Sequence, residues 1–185
     1  MIQDNSREDY LVKLFGLEGN SSRIGWDARD QWGNEYEIKT TTKGTVSTAR
    51  DLGYSHLDKW SKRFWIVARG QQESSGFVYH KIYFLDPQQM SGWIGNIRSR
   101  LDEDMKIVNA TYELVDVFLD DVLKKRAKKI LEDGIKLNDP GISWKYIESN
   151  GTLISSDYAG ELQKLVAQYS HDRTKNERAT TTNEC

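Results

Sequence analysis

The chain has 185 residues, and 26 Lys and Arg against 28 Asp and Glu give it a formal net charge of -2 at pH 7. This length predicts one domain with a sizeable core. The only cysteine is Cys185, which excludes an internal disulfide framework and a CxxC zinc site. The longest apolar run, Phe64–Ala68, is far shorter than the roughly 20 residues that span a bilayer. We therefore expect a cytoplasmic protein with no membrane contact and no signal peptide.

The near-neutral total conceals an uneven distribution of charge. Residues 39–63 carry six basic and two acidic side chains, a net of +4. Residues 101–121 carry seven acids and one Lys, a net of -6, and residues 124–129 then add +5. The acid-to-base order fits the preference of a helix dipole, or else a DNA-binding patch. The basic block 39–63 fits a solvated face or a nucleic-acid surface about equally well.

The first half of the chain predicts a helix, a hairpin, a second helix and two further strands. A capping-box pattern at Ser6 opens the first helix, and Gly19 is its expected stop. Two strands then form a hairpin around Gly33, and residues 40–48 are a loop. The predicted strands and the second helix are Ile24–Asp30, Glu35–Thr40, Leu52–Trp60 (helix), Phe64–Arg69 and Phe77–Leu85.

The second half predicts three helices and another hairpin. Pro87 starts a helix to Leu101, and apolar residues at intervals of three and four predict a long helix over Tyr112–Asp133. Asn150-Gly151 predicts a hairpin between Ile142–Ile147 and Thr152–Ser155. A last helix is expected over Tyr158–Tyr169, with residues 172–185 as a disordered tail. Together the elements indicate an α/β (α+β) domain over residues 1–171, with a mixed sheet flanked by helices.

Asp27, Glu37 and Lys39 form the constellation with the clearest chemistry. Side chains alternate along a strand, so Glu37 and Lys39 share a face, and a tight turn sets Asp27 opposite them. Two converging carboxylates suit Mg²⁺, which keeps several waters and accepts phosphate oxygens. A neighbouring lysine could orient or help deprotonate a water and offset charge at phosphorus. This is the minimum machinery for phosphodiester hydrolysis.

The spacing of Glu37 and Lys39 is not specific when it is taken alone. The same acid-x-Lys pattern recurs at Asp104-Met105-Lys106. The alternative interpretation is an ion pair on a solvated strand, worth a few tenths of a kcal/mol. Asp27 and the adjacent basic block favour the nuclease interpretation. The three histidines are far apart and have no Cys partner, which argues against zinc.

The string from Gly25 to Lys39, GWDARDQWGNEYEIK, resembles the active-site hairpin of the PvuII-type type II restriction endonucleases of the PD-(D/E)XK nuclease superfamily. The likeness continues in the same order to Ile154. It includes the segments Thr42-Lys43-Gly44, Ser47-Thr48, Ala68-Arg69-Gly70, Asn138-Asp139-Pro140, Lys145-Tyr146 and Gly151-Thr152.

This resemblance implies a restriction-endonuclease-like fold that cleaves double-stranded DNA as a homodimer, with Mg²⁺ and without a small-molecule cofactor. Asp27, Glu37 and the Ile38 carbonyl would bind the metal, and Lys39 would orient or activate water. The resemblance and the base-reading chemistry of their side chains also imply a set of DNA contacts. These are Asp4, Lys43, Ser47, Thr48, Arg50, Asn138 and Asp139.

The departures from the family pattern predict a different recognition sequence. Trp26 replaces the Pro of the superfamily name, and Ile24 replaces an acid near the site. Arg50 lies where the family has histidines, and Asp139 where it has Asn; Arg reads guanine and Asp accepts from cytosine. The Tyr112–Asp133 helix and the C-terminal helix are candidates for a dimer contact. Two alternatives remain: a monomeric nicking or repair endonuclease, and a catalytically inactive DNA-binding module of the same fold.

Overall fold

The computed structural model describes residues 6–22, 25–48, 52–74, 76–134 and 140–182. Within these ranges the chain forms six helices and eight strands. They are α1 Ser6–Leu14, β1 Glu18–Gly19, β2 Ala28–Arg29, β3 Glu35–Thr41, β4 Thr45–Val46, α2 Tyr54–Trp60, β5 Phe64–Glu73, β6 Gly76–Leu85, α3 Pro87–Phe118, α4 Asp121–Gly134, β7 Ile142–Ser143, α5 Trp144–Asn150, β8 Thr152–Ile154 and α6 Tyr158–Thr182.

Six of the strands form one mixed sheet in the order β1-β2-β3-β5-β6-β8, and β4 pairs with β7 in a second, small sheet. Strands β3 and β5 run parallel, whereas their neighbours are antiparallel. Parallel neighbours need a crossover connection, which β4 and α2 supply here. The predicted α/β (α+β) class with a mixed sheet flanked by helices is confirmed.

Strand β5 lies inside the sheet, and its first part, residues 64–68, is buried on both faces. Trp65 and Val67 pack into the cluster that includes α2, α3 and α5. Phe64, Ile66 and Ala68 pack into the cluster on the opposite face with α1 and α6. A strand covered on both faces reads as an unbroken apolar run, which is why this segment has the longest one in the sequence. Its parallel partner β3 is thereby held against the core.

The long helix predicted over Tyr112–Asp133 is wrong, because the chain reverses inside it. Helix α3 continues from Pro87 to Phe118, and α4 begins at Asp121. The Asp120 carboxylate accepts hydrogen bonds from the backbone N–H groups of Val122 (3.0 Å) and Leu123 (2.9 Å). A side chain that satisfies the free N–H groups of a first turn starts a new helix. The two helices therefore form a hairpin.

The second predicted hairpin is also wrong. Residues Trp144–Asn150 form α5, and the Ser143 hydroxyl accepts a hydrogen bond from the Tyr146 N–H at its first turn. Strand β8 pairs with β6, whereas β7 pairs with β4. Strand β4 thus lies inside the predicted 40–48 loop. The second hairpin was predicted from a segment of only seven residues, and apolar and polar residues that alternate over so short a segment fit a short helix as well as a strand.

The helix boundaries at the two ends of the chain also differ from the prediction. Helix α1 ends at Leu14, before Gly16 with φ of +66°, and Gly19 belongs to β1. Helix α6 runs past Tyr169 to Thr182, through most of the expected tail. The division into a 1–171 domain and a tail stays a prediction. None of the helices in the described ranges is long and apolar enough to cross a membrane.

Candidate active site and nucleic-acid surface

The predicted hairpin of β2 and β3 is present, and Asp30 organises its turn. One Asp30 carboxylate oxygen accepts from the Asn34 backbone N–H at 2.9 Å, and the other accepts from the Tyr36 hydroxyl at 3.0 Å. Gly33 has φ of +83°, a left-handed conformation that favours glycine. This turn brings the residues before β2, including Asp27, alongside the middle of β3.

Asp27 is held in place by its backbone on both sides. Its N–H donates to the Tyr36 carbonyl at 3.0 Å, and its carbonyl accepts from the Asn20 N–H at 3.0 Å. Its carboxylate Oδ2 accepts from the Ile38 backbone N–H at 2.7 Å. The carboxylate is therefore directed at β3, at the residue between Glu37 and Lys39.

The Lys39 ammonium lies among three oxygen atoms. Its Nζ is 3.0 Å from Asp27 Oδ2, 2.9 Å from Glu37 Oε1 and 3.0 Å from the Ile38 carbonyl oxygen. The structure thus brings together the four residues for which the sequence predicts metal binding and catalysis. These oxygens belong to the two carboxylates and the backbone carbonyl that the resemblance implies as metal ligands.

Exposure increases across this cluster from Glu37 to Asp27. The side chains of Glu37, Lys39 and Asp27 are 8%, 15% and 32% exposed, so one side of the cluster opens to solvent. Burial by itself lowers the pKa of Lys39, but the nearby Glu37 and Asp27 carboxylates outweigh it and raise this pKa above its ordinary value. Lys39 is therefore a cation in this arrangement.

Arg63 is a buried partner of the site that the sequence analysis missed as an individual residue. It is 4% exposed, and its Nη1 donates to Glu37 Oε2 at 3.0 Å. Its Nε donates to Glu35 at 3.2 Å, and the other Glu35 oxygen accepts from Arg29 at 3.0 Å. Glu35 therefore anchors arginines and makes no hydrogen bond to Asp27 or Lys39. Only the parallel pairing of Tyr36 with Phe64 brings Arg63 here, and no local pattern predicts that pairing.

Glu8 is a further carboxylate near the cluster of Asp27, Glu37 and Lys39, and the sequence did not indicate it. It lies on α1, which packs against β3. Burial raises its pKa to about 7, the Lys39 ammonium opposes this, and the Asp27 and Glu37 carboxylates add to it. No motif links a residue in the first helix to a hairpin 20 residues later, so only the fold reveals this neighbour.

The predicted DNA-contacting segment 43–48 lies beside residues 140–143, which follow the second predicted segment in the chain. The Thr48 hydroxyl donates to the Pro140 carbonyl at 2.8 Å, and β4 pairs with β7 through Thr45↔Ser143. Lys43 and Ser47 are exposed on the first segment. The remaining predicted contacts lie outside the described residues: Asp4, Arg50, Asn138 and Asp139. The small sheet therefore holds residues 45–48 against residues 140–143, which are more than 90 residues away in the chain.

The described residues contain no group of three or more His, Cys, Asp or Glu side chains that could hold a metal ion. The candidate site instead offers two carboxylates and one backbone carbonyl, which is the oxygen-only donor set that Mg²⁺ takes together with waters. A lysine ammonium, itself a hard cation, already lies among these three oxygens. The residues present therefore fit a magnesium ion.

The α+β fold has a mixed sheet in which the acidic hairpin lies beside a buried parallel strand, and this arrangement is consistent with the restriction-endonuclease fold. The chain belongs to the family described as restriction endonuclease PvuII, whose family model matches residues 1–111. The match includes the whole hairpin and ends within α3. Membership of this family identifies the protein as a nuclease of the restriction-endonuclease type. A search of curated proteins finds no match.

Replacing Arg63 tests whether a buried cation stabilises Glu37. The change Arg63→Met leaves Glu37 and Glu35 each without one partner, and breaking a buried ion pair costs about 3–5 kcal/mol. The free energy of unfolding, measured by urea denaturation, is expected to fall by that order. Arg29→Met is the matched control, because Arg29 pairs with the same Glu35 at the surface and such pairs are worth about 0–1 kcal/mol. Equal losses in both variants would contradict the assignment.

The raised pKa of Glu8 predicts a pH-dependent stability. The pKa of Glu8 is about 7 in the fold and near 4.3 in the unfolded chain. Ionised Glu8 therefore lowers the free energy of unfolding, which should be highest below pH 4 and should fall as the pH rises through 7. In EDTA, Glu8→Gln should stabilise the protein by about 1 kcal/mol at pH 8 and by nothing measurable near pH 4. Thermal unfolding at both pH values measures this. Glu18→Gln, at an exposed position, should change neither; equal effects of the two variants would refute the prediction.

Proposed function

We propose that the protein is a Mg²⁺-dependent type II restriction endonuclease that hydrolyses phosphodiester bonds of double-stranded DNA at a specific sequence. The observation that carries this proposal is the set of three oxygens around Lys39 Nζ, from Asp27, Glu37 and Ile38. Membership of the PvuII family supports the DNA substrate. A protein that cuts DNA inside its host acts in the cytoplasm, which is where we propose it works.

Asp27, Glu37 and the Ile38 carbonyl would hold the magnesium ion. Bound there, Mg²⁺ supplies Lewis acidity toward a phosphate oxygen and lowers the pKa of a water. Glu37 is kept in position by Arg63 on its other oxygen, which leaves Oε1 directed at the site. The Asp27 carboxylate is more exposed than that of Glu37, so it lies on the side from which a phosphate would approach.

Lys39 acts as an electrostatic and positioning group. Its raised pKa keeps it protonated beside the carboxylates, so it donates hydrogen bonds and does not accept a proton in this state. In the proposed reaction its ammonium donates to the attacking water and offsets the negative charge that develops on the phosphate. A metal on the three oxygens would displace the ammonium from them, but the backbone of Lys39 is fixed on β3, which pairs with buried β5, so the ammonium would stay beside the site.

The surface made by the 42–48 segment and the segment around Pro140 is the proposed DNA-reading surface. Exposed Lys43 is suited to a phosphate, and Ser47 to a phosphate or a base edge. Thr48 is half-buried and ties the two segments together through Pro140. Arg50, Asn138, Asp139 and Asp4, outside the described residues, remain predicted contacts. Arg50 is the candidate for a bidentate contact to guanine.

We further propose that two copies act together. A site-specific double-strand break needs one active site per strand, and a two-fold dimer matches the symmetry of a palindromic sequence. Each copy carries one Asp27-Glu37-Lys39 site. Two copies related by a two-fold axis would direct these sites at opposite strands.

Incubation with unmethylated phage DNA, with Mg²⁺ or with EDTA, tests the proposed activity. Discrete double-strand fragments that appear only with Mg²⁺ are the expected result. The variant Lys39→Met should lose cleavage by about 10²-fold or more and keep DNA binding in an electrophoretic shift assay. Lys13→Met, at an exposed position on α1, should cleave like the wild type.

Other outcomes select the alternatives. Nicked circles without linear product would indicate a monomeric nicking or repair endonuclease, and DNA binding without any cleavage would indicate an inactive module. Full cleavage by Lys39→Met would show that the assigned site is wrong.

Metal binding without DNA gives a second test with opposite expected signs. Asp27→Asn removes a ligand charge and should weaken the binding of Mg²⁺, measured by calorimetric titration. Lys39→Met removes the ammonium from the same three oxygens and should strengthen Mg²⁺ binding by about tenfold. An ammonium and a metal ion a few ångströms apart repel each other by more than 1 kcal/mol. Circular dichroism establishes that both variants are folded. Weaker binding in Lys39→Met would argue against a shared position for metal and ammonium.

A further inference from the structure

The run of bases over residues 124–129 lies in α4, and the fold removes the local explanation for it. In one long helix over Tyr112–Asp133 these bases would lie toward the C-terminal end, where the helix dipole favours cations. The chain instead breaks before Asp121, so the run begins at the end of the first turn of α4, and the last turn of α4 holds no basic residue. The dipole favours bases in a last turn only, so it does not account for this run.

Two of the five bases in the run are engaged within the hairpin of α3 and α4. The Lys128 ammonium lies 3.2 Å from the Asp116 carboxylate on α3, and the Lys124 ammonium lies 3.9 Å from Asp121 in its own helix. Both lysines are half-buried. The Asp120 carboxylate accepts from backbone N–H groups at the start of α4. These three acids therefore have partners other than the remaining bases.

The remaining bases are Lys125, Arg126 and Lys129, and we call them the basic face of α4. At 3.6 residues per turn they lie within a sector of about 100° around the helix. All three are exposed, and no ion pair to any of them is formed by the described residues. Like charges three and four residues apart on a helix repel each other, so the face does not stabilise α4. Exposed Val122 and Ile130 lie on the same side but are shorter, so the charged groups extend beyond them.

Helix α4 is anchored close to the proposed DNA-reading surface. Partly buried Leu131 packs against the core cluster that contains Ile142 of β7. Helix α4 ends at Gly134, and the six residues from there to Pro140 span at most about 22 Å. Lys129 lies five residues before Gly134, or about 8 Å along the helix. The basic face is therefore within about 30 Å of Pro140, which is less than one turn of DNA.

We propose that the basic face of α4 binds phosphates of the DNA that flanks the recognition sequence. This inference rests on the proposed endonuclease function and adds a contact beyond the base-reading segments. Three exposed cations complement a row of phosphates, and such contacts supply affinity without sequence preference. They also fix the register of the protein on the duplex while other segments read the bases. The family match ends at residue 111, so it assigns no role to α4.

The salt dependence of DNA binding tests this contact. The test variant carries Lys125→Gln, Arg126→Gln and Lys129→Gln. Its affinity for a fluorescent duplex of mixed sequence, several turns of DNA long, is measured in EDTA, so that no cleavage occurs. The logarithm of the affinity falls with the logarithm of the KCl concentration by about 0.9 for each phosphate that is neutralised. The slope should become less steep by about 2.7 for each bound copy, and the affinity near 0.1 M KCl should fall at least about tenfold.

Two controls separate a phosphate contact from a general loss of charge. The first carries Lys13→Gln, Lys164→Gln and Lys175→Gln, which remove the same charge from exposed positions on α1 and α6. These helices pack on the face of the sheet opposite to α3, so the slope should stay that of the wild type. The second carries Lys125→Arg and Lys129→Arg, which keep every charge and should keep the wild-type slope.

The outcomes distinguish this proposal from its alternatives. A test variant with the wild-type slope and affinity would overturn it, as would an equal loss in the first control. A lower midpoint of thermal unfolding in the test variant, with unchanged DNA binding, would show that the bases stabilise α4 instead. Because binding is measured without cleavage, a less steep slope for the test variant of a protein that never cuts DNA rejects only the proposed function. Cleavage by a wild type whose slope does not depend on the basic face rejects only this inference.

Discussion

The burial of the Glu37 carboxylate between two cations is the interaction on which the rest of the structure depends. A charge taken out of water is costly unless it is paired and hydrogen-bonded, and Glu37 has Lys39 on one oxygen and Arg63 on the other. Lys39 lies on β3 itself, while Arg63 is the residue directly before β5. The ion pairs therefore tie the hairpin to the buried parallel strand. The same contacts that hold the sheet together hold a carboxylate and an ammonium facing a partly open site.

A net charge of -2 does not oppose a DNA partner, because phosphate recognition depends on local charge. The basic residues of the 39–63 block serve several purposes in the fold. Arg63 is buried in the ion-pair network, Lys39 lies in the candidate site, and Lys43 is exposed between β3 and β4. The acidic residues of the 101–121 block lie on α3 and at its connection to α4, where Asp116 pairs with Lys128. Basic and acidic charge are thus concentrated in separate parts of the chain.

The hairpin was predictable because its signals are local. Asp30 and Gly33 define the turn by short-range hydrogen bonds and a left-handed backbone, and side-chain alternation sets Glu37 and Lys39 on one face. The breaks of the later helices were not predictable in this way. Asp120 ends an apolar periodicity that continues on both sides of it, and Trp144–Asn150 shows an alternation that fits a strand although it forms α5. In both places tertiary packing overrides a weak local preference.

The amino-acid sequence by itself determined the class of fold. It also determined that Asp27, Glu37 and Lys39 meet, because these residues lie within one hairpin whose geometry follows from short-range rules. The tertiary structure alone decided that Arg63 and Glu8 adjoin them. It also decided that residues 45–48 meet residues 140–143. Those contacts depend on which strands pair and which helices pack against them. Strand pairing between distant segments depends on the burial of the whole core, which a local sequence pattern does not record.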